Sequence, residues 1–146
     1  MFVKAIKPAN APAAIGPYSP AVKLGDFVFL SGQIPVDPAT NEMVKGLIGQ
    51  QTHQVMQNII AILDELGLET RHIMKTTVFL TDMNNFAEMN EVYAQYFDEP
   101  YPARSAVQVG ALPKGAQVEI ECIVIDTTPY EKPREKSCCS GCNGCE

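Results

Sequence analysis

The spacing of apolar residues along the chain predicts two helices. Over residues 48–66, apolar side chains recur every three or four positions, and Gly67 follows where a helix commonly ends. The same spacing recurs over residues 86–97, after asparagines that can cap a helix and before Pro100, which cannot continue one. Each segment is therefore expected to be an amphipathic helix with one apolar face for packing.

Runs rich in β-branched and aromatic residues predict strands elsewhere. Residues 22–32 hold two such runs around Gly25 and Asp26, which is typical of a hairpin. Three further strands are predicted over residues 73–80, 104–109 and 117–126. This order of strands, helix, strand, helix and strands predicts an α+β domain whose two helices pack on one face of a mixed sheet.

Side chains alternate across a strand, so the last two strands predict what each sheet face carries. The face toward the helices is expected to hold Val107, Val109, Val118, Ile120, Cys122 and Val124. The opposite face would then hold Arg104, Ala106, Gln108, Glu119, Glu121, Ile123 and Ile125. Because this set is too apolar for a solvent face and too charged for a core, we expect another subunit to cover it around a polar cavity. A wetted sheet face with scattered isoleucines is the alternative.

Composition and charge limit the kinds of function that this chain is expected to have. The 146 residues are 46% hydrophobic and 19% charged, which predicts one ordinary globular domain. The net charge of −6 and the absence of a basic run argue against nucleic acid as a partner. No stretch has the length and apolarity of a signal peptide or a membrane span, so we expect a cytoplasmic protein without membrane contact.

Common catalytic motifs are absent from the sequence, including those of zinc proteases, nucleotide-binding loops and serine hydrolases. Both histidines, His53 and His72, are expected at the surface. What remains is Arg104 within the segment Tyr101-Pro102-Ala103-Arg104-Ser105-Ala106-Val107, followed by the strand segment Val118-Glu119-Ile120-Glu121.

These two segments resemble the Rid family of reactive intermediate deaminases, also called YjgF proteins. Further segments that resemble the family, in order, are Gly16-Pro17-Tyr18-Ser19-Pro20-Ala21, Phe29-Leu30-Ser31-Gly32-Gln33-Ile34-Pro35 and the run from Met83 through Asn90 to Tyr93. The resemblance spans about residues 1–126. It implies a chorismate-mutase-like α+β domain that forms a homotrimer, with sites in clefts between subunits.

The resemblance also implies an activity, the hydrolysis of 2-enamine and 2-imine acids such as 2-aminoacrylate and 2-iminobutanoate to 2-keto acids and ammonia. A guanidinium matches a carboxylate with two parallel hydrogen bonds, so Arg104 is the candidate for the substrate carboxylate. Glu119 is the candidate to orient and deprotonate the attacking water. The remaining candidate substrate-binding residues are Tyr18, Ser31, Gly32 and Asn90. No metal or cofactor is required for this catalysis.

Alternatives remain open for these assignments. Arg104 and Glu119 could form only a structural ion pair between subunits, and Tyr18 could be a packing residue. Ala106 departs from the cysteine that many family members carry two residues after the arginine, so their substrate preference does not transfer. The alternative function is a non-catalytic trimeric module that senses small 2-keto or amino acids.

Residues 127–146 are expected to form a Cys-rich C-terminal extension to the deaminase domain of residues 1–126. Cys139, Cys142 and Cys145 follow one another at three-residue steps, which suits zinc or an iron–sulfur cluster, with Cys138 as a possible further ligand. An extension without a fixed partner and thiol redox chemistry are the other interpretations.

Overall fold

The computed structural model describes residues 2–132, which form a six-stranded mixed sheet and two helices. The elements are β1 (Lys4–Ile6), β2 (Ala21–Leu24), β3 (Phe27–Gln33), β4 (Val36–Asp37), β5 (Glu42–Met43), α1 (Ile48–Glu65), β6 (Ile73–Leu80), α2 (Phe86–Ala94), β7 (Ala103–Gln108) and β8 (Val118–Ile125). The sheet order is β1-β2-β3-β8-β6-β7, with β6 and β7 parallel and the other neighbours antiparallel. β4 and β5 form a separate small hairpin.

The predicted helices are confirmed, and their sequence explains where they end. On α1 the stripe of Val55, Ile59 and Leu63 is fully buried against the sheet. Gly67 adopts a φ of 69°, which costs glycine little and allows the Leu68 N–H to bond the Leu63 carbonyl and close the last turn. The second helix is shorter than predicted and ends at Ala94.

The strands at 73–80 and 117–126 and the hairpin at 22–32 are also confirmed within one or two residues. The expectation for β8 holds, because Val118, Ile120 and Val124 are fully buried on the helix side. The three shortest strands, β1, β4 and β5, were not predicted, since two or three residues are too few to display an alternating pattern.

The predicted orientation of β7 is wrong. In the parallel register, Val78 of β6 pairs with Ala106 and Thr76 pairs with Arg104, so both β7 residues lie on the helix side. Ala106 packs against the core, whereas Val107 is 43% exposed on the opposite face. Alternation along a strand separates two sets of side chains, but the pairing with β6 decides which set meets the helices.

The last described residues remain in contact with the domain. The Tyr130 hydroxyl donates to the Asp26 carboxylate at 2.6 Å, and Arg71 donates two hydrogen bonds to Glu131 at 2.7 and 2.9 Å. His72 lies beneath this contact and is 1% exposed, so the expectation of a surface position is wrong. Among residues 2–132, no helix is both long and apolar enough to span a membrane.

Candidate active site

The candidate residues lie in two clefts on opposite faces of the sheet. We call the first the glutamate cleft; it is lined by Ile15, Tyr18, Ser31, Gly32, Ile34, Pro113, Lys114, Glu119 and Glu121. We call the second the arginine cleft; it is lined by Asn90, Tyr93, Ala94, Tyr101, Pro102 and Arg104. The structure therefore brings together four of the predicted residues in one cleft and two in the other.

An irregularity in β3 shapes the glutamate cleft. Leu30 pairs with Cys122 and Gln33 with Ile120, so three steps along β3 match two along β8. Such a bulge turns side chains and backbone out of the regular alternation. It places Ser31 and Gly32 at the wall of the cleft.

Gly32 allows the carboxylate of Glu119 to lie against the backbone of β3. A Cβ atom at position 32 would stand 2.1 Å from Oε1 and 2.8 Å from Cδ of Glu119. Any side chain at this position would therefore displace the carboxylate. At this position glycine permits a close approach of the carboxylate rather than a turn.

Glu119 is half-buried, and this burial raises the pKa of its carboxyl above the usual value for glutamate. The negative charge of Glu121, which lies two residues further along the same face, raises the pKa further. A carboxylate with a raised pKa is a stronger base than an exposed one. The cleft therefore holds a group suited to accepting a proton from water.

Two hydroxyls line the same cleft, and their hydrogen bonds differ. Ser31 Oγ donates its proton to the Ser19 carbonyl at 2.7 Å, which leaves its lone pairs to accept. Tyr18 Oη accepts the Ile15 N–H at 3.2 Å and keeps its own proton for a ligand. The first hydroxyl can serve a ligand as an acceptor and the second as a donor.

Lys114 is a residue of the glutamate cleft that the sequence analysis missed. Its φ of 55° is uncommon for a side chain with a Cβ atom, and Gly115 follows it with a φ of 72°. This tight turn before β8 places one cation in a cleft that also holds Glu119 and Glu121. Proline and glycine on either side of Lys114 are typical of a turn, but sequence spacing does not indicate which cleft a turn borders.

In the arginine cleft, Arg104 is held by neutral groups. Its Nη1 donates to Asn90 Oδ1 at 2.7 Å, and its Cζ lies 4.9 Å from the ring centre of Tyr93 and 5.4 Å from that of Phe86. Arg104 forms no ion pair within residues 2–132. An arginine fixed without a carboxylate partner retains donors and charge for an anionic ligand.

Within one chain, Arg104 and Glu119 are too far apart to contact the same small molecule. Arg104 pairs with Thr76 and Glu119 pairs with Phe79, so the two residues are three positions apart along β6 and lie on strands that flank it. Their backbones are thus separated by about 10 Å along the strands and about 10 Å across them. Their side chains also point to opposite faces.

The predicted metal ligands Cys138, Cys139, Cys142 and Cys145 lie outside the described residues. Within residues 2–132, no group of three or more His, Cys, Asp or Glu side chains is arranged to hold a metal ion. Cys122 is buried in the core, and burial raises the pKa of its thiol to about 12. This thiol is therefore a packing group, as expected from its position on β8.

The fold and clefts of residues 2–132 define an α+β protein with charged groups placed on both faces of one sheet. The chain belongs to the Rid/YjgF family: the family described as Endoribonuclease L-PSP matches residues 8–126. A RutC family protein of Pyrococcus horikoshii is 58% identical over 78% of this chain and 90% of its own. The 2-iminobutanoate/2-iminopropanoate deaminase of Bos taurus is 47% identical over 84% of this chain and 89% of its own.

A solved structure supports the fold. The crystal structure of E. coli TdcF with bound serine superimposes with a TM-score of 0.79 at 49% identity, covering 84% of this chain and 98% of that one. The mixed sheet and two helices are thus those of the family, and deaminases are among its named members.

Proposed function

We propose that the protein is a hydrolytic deaminase that converts 2-enamine and 2-imine acids, such as 2-aminoacrylate and 2-iminobutanoate, to 2-keto acids and ammonia. The observation that carries the proposal is the pair of complementary clefts. One holds an arginine without an ionic partner, and the other holds a glutamate whose pKa is raised. The deaminases among the relatives, about 45% identical, support the same class of reaction.

Arg104 binds the substrate carboxylate in this proposal. Asn90 occupies one Nη1 donor, so Nη2 and Nε remain available for two parallel hydrogen bonds to a carboxylate. The two neighbouring rings lie within 5.4 Å of the guanidinium carbon and lower the polarity around it, which strengthens its interaction with an anion. Lysine cannot supply the same planar pair of donors.

Glu119 activates the water. Its carboxylate takes a proton while the water oxygen bonds to C2 of the protonated imine, whose C=N pair moves to nitrogen. Glu119 returns the proton to that nitrogen, the C–N bond breaks, and Glu119 takes the hydroxyl proton as the C=O bond forms. The departing ammonia takes this proton from Glu119 and leaves as ammonium. Glu119 ends in its starting state, and the reaction consumes one water for each ammonia released.

A second copy of the chain completes the site. Because one chain holds Arg104 and Glu119 on opposite sheet faces, a single substrate can contact both only if they come from different copies. The face that carries Glu119 also exposes Phe29, Val107 and Ile123, which are the kind of residues that a neighbouring subunit covers. We assign this assembly as a chorismate-mutase-like homotrimer with one shared site between each pair of subunits.

The proposal is tested by turnover of 2-iminobutanoate that a threonine dehydratase generates in the assay. Arg104→Ala and Glu119→Gln chains are expected to be almost inactive when each is assayed alone. After the two are unfolded together and refolded as mixed trimers, about one interface in four unites an intact Arg104 with an intact Glu119. About a quarter of wild-type activity is therefore expected to return.

Mixtures that stay inactive, although native mass spectrometry shows mixed trimers, would exclude the shared site. Wild-type protein without turnover would exclude the deaminase itself. Light scattering that gives the mass of one chain at micromolar concentration would exclude the assembly.

Ligand sensing without turnover is the second candidate, and one observation favours it. The relative TdcF was crystallised with serine, a stable amino acid with a carboxylate. A sensor would bind serine or 2-oxobutanoate through Arg104 but leave the hydrolysis rate of 2-iminobutanoate at its background value. Calorimetry beside the deaminase assay separates the two functions.

RNA cleavage, which the description of the matched family names, is not proposed. The net charge is −6. Of the two histidines, His72 is buried and His53 bonds Tyr96 on the outer side of the helices. Neither lines either cleft, so no histidine acid–base pair faces a bound strand.

A further inference from the structure

We infer that Tyr93, locked in place by Thr76, is the positioning residue that aims the Arg104 guanidinium at the substrate carboxylate. The inference rests on the proposed function of Arg104 as the carboxylate-binding group. It adds a buried hydrogen bond between the hydroxyls of these two residues, to which the proposed chemistry assigns no role.

The hydroxyls of Tyr93 and Thr76 form a hydrogen bond of 2.8 Å inside the domain. Tyr93 is 6% exposed and Thr76 is 1% exposed, so neither hydroxyl has water as a replacement partner. Burial raises the pKa of Tyr93, and its hydroxyl therefore remains protonated across the physiological range. The bond fixes the outer end of the tyrosine ring to the middle of β6.

The same ring carries the guanidinium. Arg104 Cζ lies 4.9 Å from the centre of the Tyr93 ring, while Phe97 packs against that ring at 4.7 Å between centres. Thr76 is also the register partner of Arg104 in the parallel pair β6–β7. One pair of strands thus carries both the arginine and the group that fixes the ring supporting it.

Asn90 alone does not determine the direction of the guanidinium. It bonds one nitrogen, and rotation about that contact would swing the remaining donors away from a ligand. The ring of Tyr93 restricts this rotation because a cation over an aromatic face prefers to stay there. Loss of the buried hydroxyl bond would let the ring tilt and the remaining donors spread over several orientations.

The test compares Tyr93→Phe, Thr76→Val and the double variant. Each single substitution leaves one buried hydroxyl without a partner and is expected to lower stability, whereas the double substitution removes both hydroxyls and is expected to restore it. If the bond positions Arg104, KM for 2-iminobutanoate rises roughly 3- to 10-fold in all three, with kcat changed much less. The KM of the double variant stays high although its melting temperature recovers.

A purely structural bond gives the opposite result, because KM would return to the wild-type value together with stability. Thr52→Val is the matched control for a buried threonine, since Thr52 bonds the Ile48 carbonyl on α1. Tyr130→Phe is the control for the loss of a tyrosine hydroxyl far from the arginine cleft. Both controls should leave KM unchanged.

A readout independent of turnover keeps this inference separate from the deaminase proposal. Arg104 Cζ lies 4.9 and 5.4 Å from two ring centres, so the NMR signal of the Nε proton, identified by its loss in Arg104→Lys, should be shifted by their ring currents. The double variant should reduce this shift and weaken 2-oxobutanoate binding by roughly the same 3- to 10-fold factor. An unchanged signal and unchanged affinity would overturn the inference, even if wild-type protein proved to have no deaminase activity.

Discussion

The arginine cleft and the glutamate cleft hold their charged groups in opposite ways. Arg104 is supported by neutral partners, an amide and two rings, and none of them neutralises its charge. Glu119 lies against the backbone at Gly32 and near the like charge of Glu121, and burial raises its pKa. A binding group needs a fixed direction, whereas a base needs a high proton affinity. The two clefts therefore suit different parts of one reaction.

The strongest test of this division is Glu119→Gln. Glutamine keeps the size of the side chain but cannot accept a proton, so kcat should fall by about 10²- to 10⁴-fold, the usual contribution of a general base. KM should change little, because the water rather than the substrate loses its partner. Steady-state kinetics on 2-iminobutanoate measure both constants, and a rise in KM at constant kcat would place Glu119 in binding instead.

Arg104→Ala tests the binding group of the arginine cleft. Loss of a desolvated two-point contact should cost about 2–4 kcal/mol of transition-state stabilisation, or roughly 30- to 1,000-fold in kcat/KM. Arg104→Lys should be nearly as damaging because an ammonium group is not a planar pair of donors. Full activity in a correctly assembled Arg104→Ala protein would remove Arg104 from the mechanism.

Gly32→Ala tests whether the backbone position of Glu119 matters as well as its chemistry. The new methyl group must displace the carboxylate, so kcat should fall by roughly 10- to 100-fold, about what misplacement of a reacting group by 1 Å costs. Gly110→Ala is the matched control, since a Cβ atom there meets nothing within 4 Å. Equal activity of the two variants would show that the close approach at Gly32 is unimportant.

The pH dependence of kcat/KM tests whether Glu119 is the base. Because the pKa of Glu119 is raised, its basic form is lost as the pH falls through a value above that of an ordinary glutamate. Glu121→Gln removes a neighbouring negative charge and should move the acid limb to lower pH. The shift should be modest, since burial is the larger cause of the raised pKa. An acid limb that stays in place in Glu121→Gln would assign it to another group.

Removal of the chain after Lys132 should have the smallest effect on turnover. Both clefts and the contacts of Tyr130 and Glu131 lie before that point. Deaminase kinetics and oligomeric mass should therefore match those of the full chain. Activity lost with the truncation would place the Cys-rich segment in the site.

A variant that lacks three of the tail cysteines tests the metal prediction. Zinc and iron contents of full-length protein purified without chelator are compared with those of a variant in which Cys139, Cys142 and Cys145 are changed to serine. Metal that disappears in the variant supports binding by these cysteines. Equal content in both proteins contradicts it.

Sequence patterns predicted the parts of the fold that depend on local spacing. The stripe on α1, the glycine after it and the buried side of β8 each recur over enough residues to be recognised. The family resemblance indicated the candidate residues. It did not indicate the hydrogen bonds that decide which of their hydroxyls can donate to a ligand and which can only accept. Ser31 donates within the chain, whereas Tyr18 keeps its proton, and only the folded loop before β2 decides this.

By itself, the sequence determined which side chains alternate on β7 and β8, because alternation is a property of a single extended strand. Only the tertiary structure decided that Arg104 lies on the helix side and Glu119 on the other. That outcome depends on which residue of β6 pairs with each neighbouring strand, and register between distant segments is fixed by the packing of the whole sheet. The sequence could therefore identify the two charged groups, but their separation within one chain, on which the proposed shared site rests, follows from strand pairing.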